Sequence, residues 1–165
     1  ILTFLFCDGM SASQALKKPD SQSKNDSGYR RRDLLFENRA IEGCWAEVRR
    51  DYEASGVVAD AKNYKDEVNS DIVASFSTKY LKEYGIGRFG LILARRVPAE
   101  TRSVIPGQAR IPSAIEEQKN QWRDARKMVV LLGEDDLVEM LGMKASNQDP
   151  TELLRARLFT LKSRM

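Results

Sequence analysis

The chain contains no histidine. That removes the imidazole-based mechanisms at once: serine and cysteine triads, histidine-ligated zinc, and histidine acid/base pairs. Any chemistry must be run by carboxylates, lysine, tyrosine or cysteine. One stretch has suitable types at a telling spacing, Val57-Val58-Ala59-Asp60-Ala61-Lys62-Asn63-Tyr64. In a strand, residues two apart share a face, so Asp60 and Lys62 project together while Val57, Ala59 and Ala61 face the opposite layer. Charges at the end of an otherwise apolar strand are costly to desolvate and need compensation. They can pair with each other as a purely structural ion pair, or they can be the working groups of a site. The two cysteines, Cys7 and Cys44, have neither CxxC spacing nor a dense framework, which points to reduced thiols in a cytoplasmic setting. Cys44, beside Trp45, reads as buried and inert.

The elements that must position these groups are visible as changes of period. Ile1 to Phe6 is apolar, too short for a membrane span and without a signal-peptide pattern, so it begins a core-packing helix. Asp8 to Gly28 is rich in Ser, Asp, Asn, Gln and Lys and reads as a long, partly mobile loop. Tyr29 to Phe36 reads as a strand. Trp45, Val48 and Tyr52 recur at helical spacing and predict a helix over 43 to 53. Gly56 breaks that helix, and Val57 to Lys62 follows as a strand. Ile72, Val73, Phe76, Tyr80, Leu81 and Tyr84, followed by Gly85, predict an amphipathic helix with a glycine cap. Phe89 to Ala94 and Met128 to Leu132 are unbroken apolar runs, as in strands covered on both faces. Between them, Ser113 to Glu116 has the pattern of a capping box opening a helix that carries Trp122. Two helices finish the chain, one from about Asp135 to Leu141 and one opened by Asp149-Pro150. Alternating strands and helices predict one α/β domain over residues 1 to 165, its central sheet covered on both sides.

Lys plus Arg (27) against Asp plus Glu (24) gives +3, a balance that leaves a nucleic-acid partner open without requiring one. Basic residues concentrate between Lys17 and Arg32, whereas Glu134, Asp135, Asp136 and Glu139 form an acidic run. The acidic run reads as a solvated face that complements a helix dipole. No glycine loop of the dinucleotide or Walker type occurs; Gly85-Ile86-Gly87 is a turn into a strand. The start at Ile1 rather than methionine reads as a fragment of a longer protein, with other domains as partners in the same chain.

Asp60-Ala61-Lys62-Asn63-Tyr64, preceded by Arg32-Asp33-Leu34-Leu35-Phe36 in the strand before, resembles the active-site text of the PD-(D/E)xK nuclease superfamily. The later helix ending Lys79-Tyr80-Leu81 and the strand from Gly87 to Arg95 extend the likeness over most of residues 29 to 132. The resemblance implies a restriction-endonuclease-like α/β fold, a central mixed β-sheet flanked by α-helices. It also implies a Mg²⁺- or Mn²⁺-dependent endonuclease acting on DNA in bacterial restriction or phage defence. Carried over by position, Asp33 and Asp60 are the metal-binding acids, the Ala61 carbonyl is a further metal ligand, and Lys62 orients the attacking water. Such an ion lowers the pKa of bound water and neutralises charge in the transition state. Asp51 is a rival for the first acid. Arg32 stands where the family often has proline, and Asp60 where glutamate is more usual. Ser75 and Ser77 occupy the following helix where related chains carry glutamine.

Around that core, Arg30, Arg31, Arg32 and Lys65 are candidate phosphate contacts, with a solvated loop edge as the alternative for the arginines. Arg88, Arg95 and Arg96 bracket a buried strand and read equally well as structural. A second class of function is an inactive nuclease-like module that binds DNA or protein. RNA is a third, weaker substrate possibility, and a homodimer would suit cutting of both strands.

Overall fold

The computed structural model describes residues 1–8, 10–19, 34–62, 66–81, 86–101 and 111–165. Four strands form one sheet in the order β1-β2-β3-β4: β1 (Leu34–Glu37), β2 (Gly56–Lys62), β3 (Phe89–Ala94) and β4 (Met128–Leu132). β1 is antiparallel to β2, with Leu34 opposite Ala59; the other two pairings are parallel. The helices are α1 (Leu2–Phe6), α2 (Gly43–Asp51), α3 (Ser70–Tyr80), α4 (Ser113–Ala125), α5 (Glu134–Ala145) and α6 (Thr151–Lys162), with a 3₁₀ turn at Ala99–Thr101.

Alternation along the strands builds two cores. Val57, Ala59, Leu91, Leu93, Val130 and Leu132 pack on one face with residues of α1, α2, α5 and α6. Val58, Ile92, Val129 and Leu131 pack on the other with Val73, Phe76 and Tyr80 of α3 and Ala114 of α4. Successive parallel crossovers that step across a sheet in one direction, all of the right-handed kind, set their helices on one side. α3 and α4 therefore share a layer. At the centre of the first core Trp45, fully buried, meets Phe6 and Phe89 edge-on at centroid distances of 5.0 and 6.3 Å. The buried Asn38 amide donates to the Trp45 carbonyl at 2.9 Å.

Two glycines fix the approach of helix and loop to β3. A Cβ on Gly90 would lie 2.6 Å from the Phe76 ring, so the bare backbone lets α3 press onto the sheet. Gly87 has φ of +108°, and a Cβ there would stand 2.4 Å from the Glu53 carbonyl oxygen, where the chain leaving α2 passes over the entrance to β3. At the outer side of β1, Lys17 forms a single bridge with Glu37, its N–H donating to the Glu37 carbonyl at 3.0 Å.

Several details depart from the sequence reading. Gly56, read as the break after the helix, is itself the first residue of β2, and α2 already ends at Asp51. α3 ends at Tyr80, because Leu81 is extended (φ −95°, ψ 96°) and buried; Tyr84, which the spacing also assigned to the helix, lies outside the described residues. Ser113 does not cap α4. Its hydroxyl instead accepts the N–H of Ser70 at 3.3 Å, tying the starts of α3 and α4 together. The acidic run is not uniformly solvated: Asp136 is fully buried. It accepts from Gly133 N at 2.7 Å and, at its other oxygen, from Arg157 Nε and Nη2 at 3.1 and 2.7 Å. Asp149 does serve the start of α6, accepting from Thr151 N at 2.8 Å.

Candidate functional site

β2, β3 and β4 run in parallel and end together, β1 begins at the same rim, and the connections to α3 and α4 leave from it. This carboxyl edge is where open α/β sheets bind ligands, since the departing loops leave a crevice there. Asp60 and Lys62 are the fifth and seventh residues of β2. By alternation they share the face of Val58, the side covered by α3 and α4. In register, Asp60 stands opposite Ile92 and Lys62 opposite Ala94.

The Lys62 ammonium lies 2.8 Å from Asp60 Oδ2, with the carboxylate side chain 5% exposed and the lysine 26% exposed. Desolvating a carboxylate to this degree is costly, and the adjacent ammonium offsets part of that cost. The pair is thus dry at one end and open at the other, an arrangement that can meet a charged ligand through the lysine. Ala61, between them, is exposed rather than packed in the opposite core with Val57 and Ala59.

Behind the pair, the entry to α3 is fixed by three backbone contacts. Val68 N donates to the Arg96 carbonyl at 3.3 Å, Ser70 N to Ser113 Oγ at 3.3 Å, and Ile72 N to Asn69 Oδ1 at 3.2 Å. The last of these is an N-cap. Ser77, also on α3, is buried and donates to Gln121 Oε1 of α4 at 2.5 Å.

Asp33, Arg30, Arg31, Arg32 and Lys65 lie outside the described residues, as do Asn63, Tyr64 and Gly85. What is described is the chain neighbour of Asp33: Leu34 pairs with Ala59, the neighbour of Asp60. Asp51, the rival acid, does not approach the pair. It ends α2, beside Tyr52, whose carbonyl accepts from Arg88 N at the opposite edge of the sheet. Its carboxylate faces Arg50 at 2.9 Å and Lys162 at 3.8 Å.

A metal would find oxygen donors of the hard type at Asp60 and Ala61, which suit Mg²⁺ or Mn²⁺. Among the described residues, no group of three or more His, Cys, Asp or Glu side chains could hold a metal ion. These two oxygens suit such an ion in chemical type but are too few to hold one, and Asp33, the further acid that the resemblance implies, lies outside the described residues.

Away from the pair, a groove of about 260 Å³ lies between α2 and α6, lined in part by Cys44, Glu47, Asp51, Arg155, Phe159 and Lys162. Burial pushes the Cys44 thiol up to about 12, and burial with the Asp8 charge pushes Cys7 up to about 11. Both are poor nucleophiles, in keeping with the sequence reading of Cys44. Trp45 is a core residue, as its spacing predicts, and Trp122 packs edge-on to Tyr52 at 5.8 Å while Arg126 lies over its ring. Sequence reasoning did not separate Arg88 from Arg95 and Arg96. Arg88 pairs with Glu53 at 3.2 Å, whereas Arg95 and Arg96 are exposed at the carboxyl edge.

No family model, no curated protein and no solved structure matches this chain. Among the described residues, no helix is long and apolar enough to cross a membrane.

Proposed function

We propose that this chain is a metal-dependent nuclease of restriction-endonuclease-like fold that hydrolyses DNA phosphodiesters, with Asp33 and Asp60 as metal ligands and Lys62 as the residue that orients water. The observation that carries the reading is the Asp60–Lys62 pair, at 2.8 Å, on the last residues of a buried strand at the carboxyl edge of the sheet. Support also comes from β1. Leu34 stands opposite Ala59, and Leu35 packs with the same core as Val58, so β1 runs up to the Asp60 rim with alternation in phase. In the proposed site, Asp33 completes the oxygen set begun by Asp60 and the Ala61 carbonyl. A bound divalent ion supplies Lewis acidity and charge neutralisation. Lys62, a quarter exposed, stabilises negative charge developing on the phosphate and holds the attacking water. A role in bacterial restriction or phage defence, and a homodimer for cutting both strands, belong to the same proposal.

The test is cleavage of plasmid and linear DNA, with RNA in parallel, by the parent chain and by Asp60→Asn and Lys62→Met, each in Mg²⁺ and in EDTA. Circular dichroism reports whether each variant is folded. Magnesium-dependent cleavage by the parent and loss of at least ~100-fold in both folded variants are expected, the scale of removing a group that stabilises transition-state charge. Equal cleavage by either variant overturns the assignment.

A second reading has its own support: Asp60 Oδ2 already faces an ammonium, and the described residues alone offer a metal too few oxygens. In that reading the domain binds DNA or protein without cutting. Calorimetric Mg²⁺ titration separates the two, because the binding module has no saturable site that Asp60→Asn removes.

A further inference from the structure

We propose that Arg95 and Arg96 form a clamp for the DNA backbone beside the Asp60–Lys62 pair, gripping non-bridging phosphate oxygens; the proposal rests on the nuclease reading above. The two residues directly follow Ala94, which is the register partner of Lys62. They therefore leave the sheet about one strand spacing, roughly 4.8 Å, from the β2 backbone that carries the lysine.

Their surroundings set them apart from most other arginines. Arg39, Arg50, Arg88, Arg123, Arg155 and Arg157 each face a carboxylate. Arg95 and Arg96 are exposed and enter no ion pair among the described residues. Neither guanidinium is neutralised by a described carboxylate, so a phosphate can supply the counter-charge. The planar fork of arginine matches two phosphate oxygens, which a hydrated ammonium cannot do.

The backbone beneath them is fixed. The Arg96 carbonyl accepts from Val68 N at 3.3 Å, and two residues later the Pro98 carbonyl accepts from Thr101 N at 2.9 Å and from its hydroxyl at 2.7 Å. Side chains on a fixed stem lose less freedom on binding than side chains on a loose loop. Lys62 is already occupied with Asp60. The clamp thus supplies positive charge for the substrate, and the lysine is kept for the reacting phosphate.

The experiment is fluorescence anisotropy of a labelled duplex of about 30 bp in EDTA, titrated between roughly 0.05 and 0.25 M KCl, a range over which phosphate contacts dominate the salt dependence. The chains compared are the parent, Arg95→Ala/Arg96→Ala, Arg95→Lys/Arg96→Lys and Arg49→Ala. Arg49 is also exposed and in no ion pair among the described residues, but it sits on the last turn of α2, toward the opposite edge. The double alanine variant is expected to reduce the slope of log K against log salt by roughly 2, about 1 per phosphate contact. The double lysine variant keeps the slope, and Arg49→Ala leaves it at the parent value. A parent-like slope in the double alanine variant overturns the clamp, as does an equal loss in Arg49→Ala. A parent chain with no affinity for the duplex overturns the nuclease reading as well, so the two failures are distinguishable.

Discussion

Removing the ammonium from the Asp60 carboxylate tests whether the pair is as dry as its geometry implies. The perturbation is Lys62→Met, which keeps the length of the side chain and deletes its charge. A fully buried pair loses about 3–5 kcal/mol when one partner is removed, and an exposed pair about 0–1 kcal/mol. Asp60 is 5% exposed and Lys62 26% exposed. Weighting between those limits gives about 2–3 kcal/mol, which for a chain of this length lowers Tm by roughly 5–10 °C. Asp60→Asn should cost less, about 1 kcal/mol, because the lysine can turn its ammonium to water through its exposed quarter. The double variant should recover most of the lysine loss, giving a coupling energy above ~1 kcal/mol in a double-mutant cycle. Urea unfolding at neutral pH measures all four chains. Under the nuclease reading, Mg²⁺ replaces the missing positive charge. It should raise the Tm of Lys62→Met by an amount that grows with concentration, as for any ligand bound only by the folded state, and should leave Asp60→Asn unchanged. A Lys62→Met chain that loses less than about 0.5 kcal/mol, the scale of an ordinary surface change, refutes the argument from burial.

Two further outcomes follow from packing and from titration. Gly87→Ala should lower stability by about 3 kcal/mol or more in urea unfolding. Its Cβ meets backbone atoms at 2.4 and 2.5 Å in a positive-φ position, whereas Gly90→Ala meets the Phe76 ring and should cost only about 1–3 kcal/mol; a reversed order would contradict the close approach described at β3. The Cys44 thiol titrates at about 12 in the folded chain against an ordinary 9.0, so its contribution is complete below pH 9 and is lost as pH rises toward 12. Tm should fall more steeply across that window in the parent than in Cys44→Ala, and iodoacetamide at pH 8 should leave Cys44 unmodified until the chain unfolds.

What the sequence discloses depends on how local the cause is. β3 and β4 are legible to the residue, because Phe89 to Ala94 and Met128 to Leu132 are apolar on both faces and nothing else interrupts them. The Asp60–Lys62 pairing is legible for the same reason, since a spacing of two fixes a shared face. The end of α3 is not: Leu81 continues the apolar spacing, but it satisfies that burial from an extended backbone over Gly90. Ser113 looks like a cap because only its own segment is read, while its hydroxyl is taken by Ser70 from another helix. Asp136 looks solvated because its partner, Arg157, lies 21 residues away. That Arg95 and Arg96 face no carboxylate among the described residues is likewise visible only after most of the other described arginines have been placed against theirs.

The short outer strand has a consequence for life at high concentration. A sheet margin with open N–H and C=O groups is a template on which another copy can add a strand and start a fibre. On the β1 margin, Lys17 already occupies the carbonyl of Glu37, and the charged ends of both side chains meet at 3.1 Å. A newcomer would have to displace a bond and bury two charges to dock there. At the other margin β4 is buried along its whole length. At this end of β1 the Lys17 backbone N–H closes one edge carbonyl and the Lys17–Glu37 ion pair adds charge beside it, so two separate features oppose the docking of another strand there.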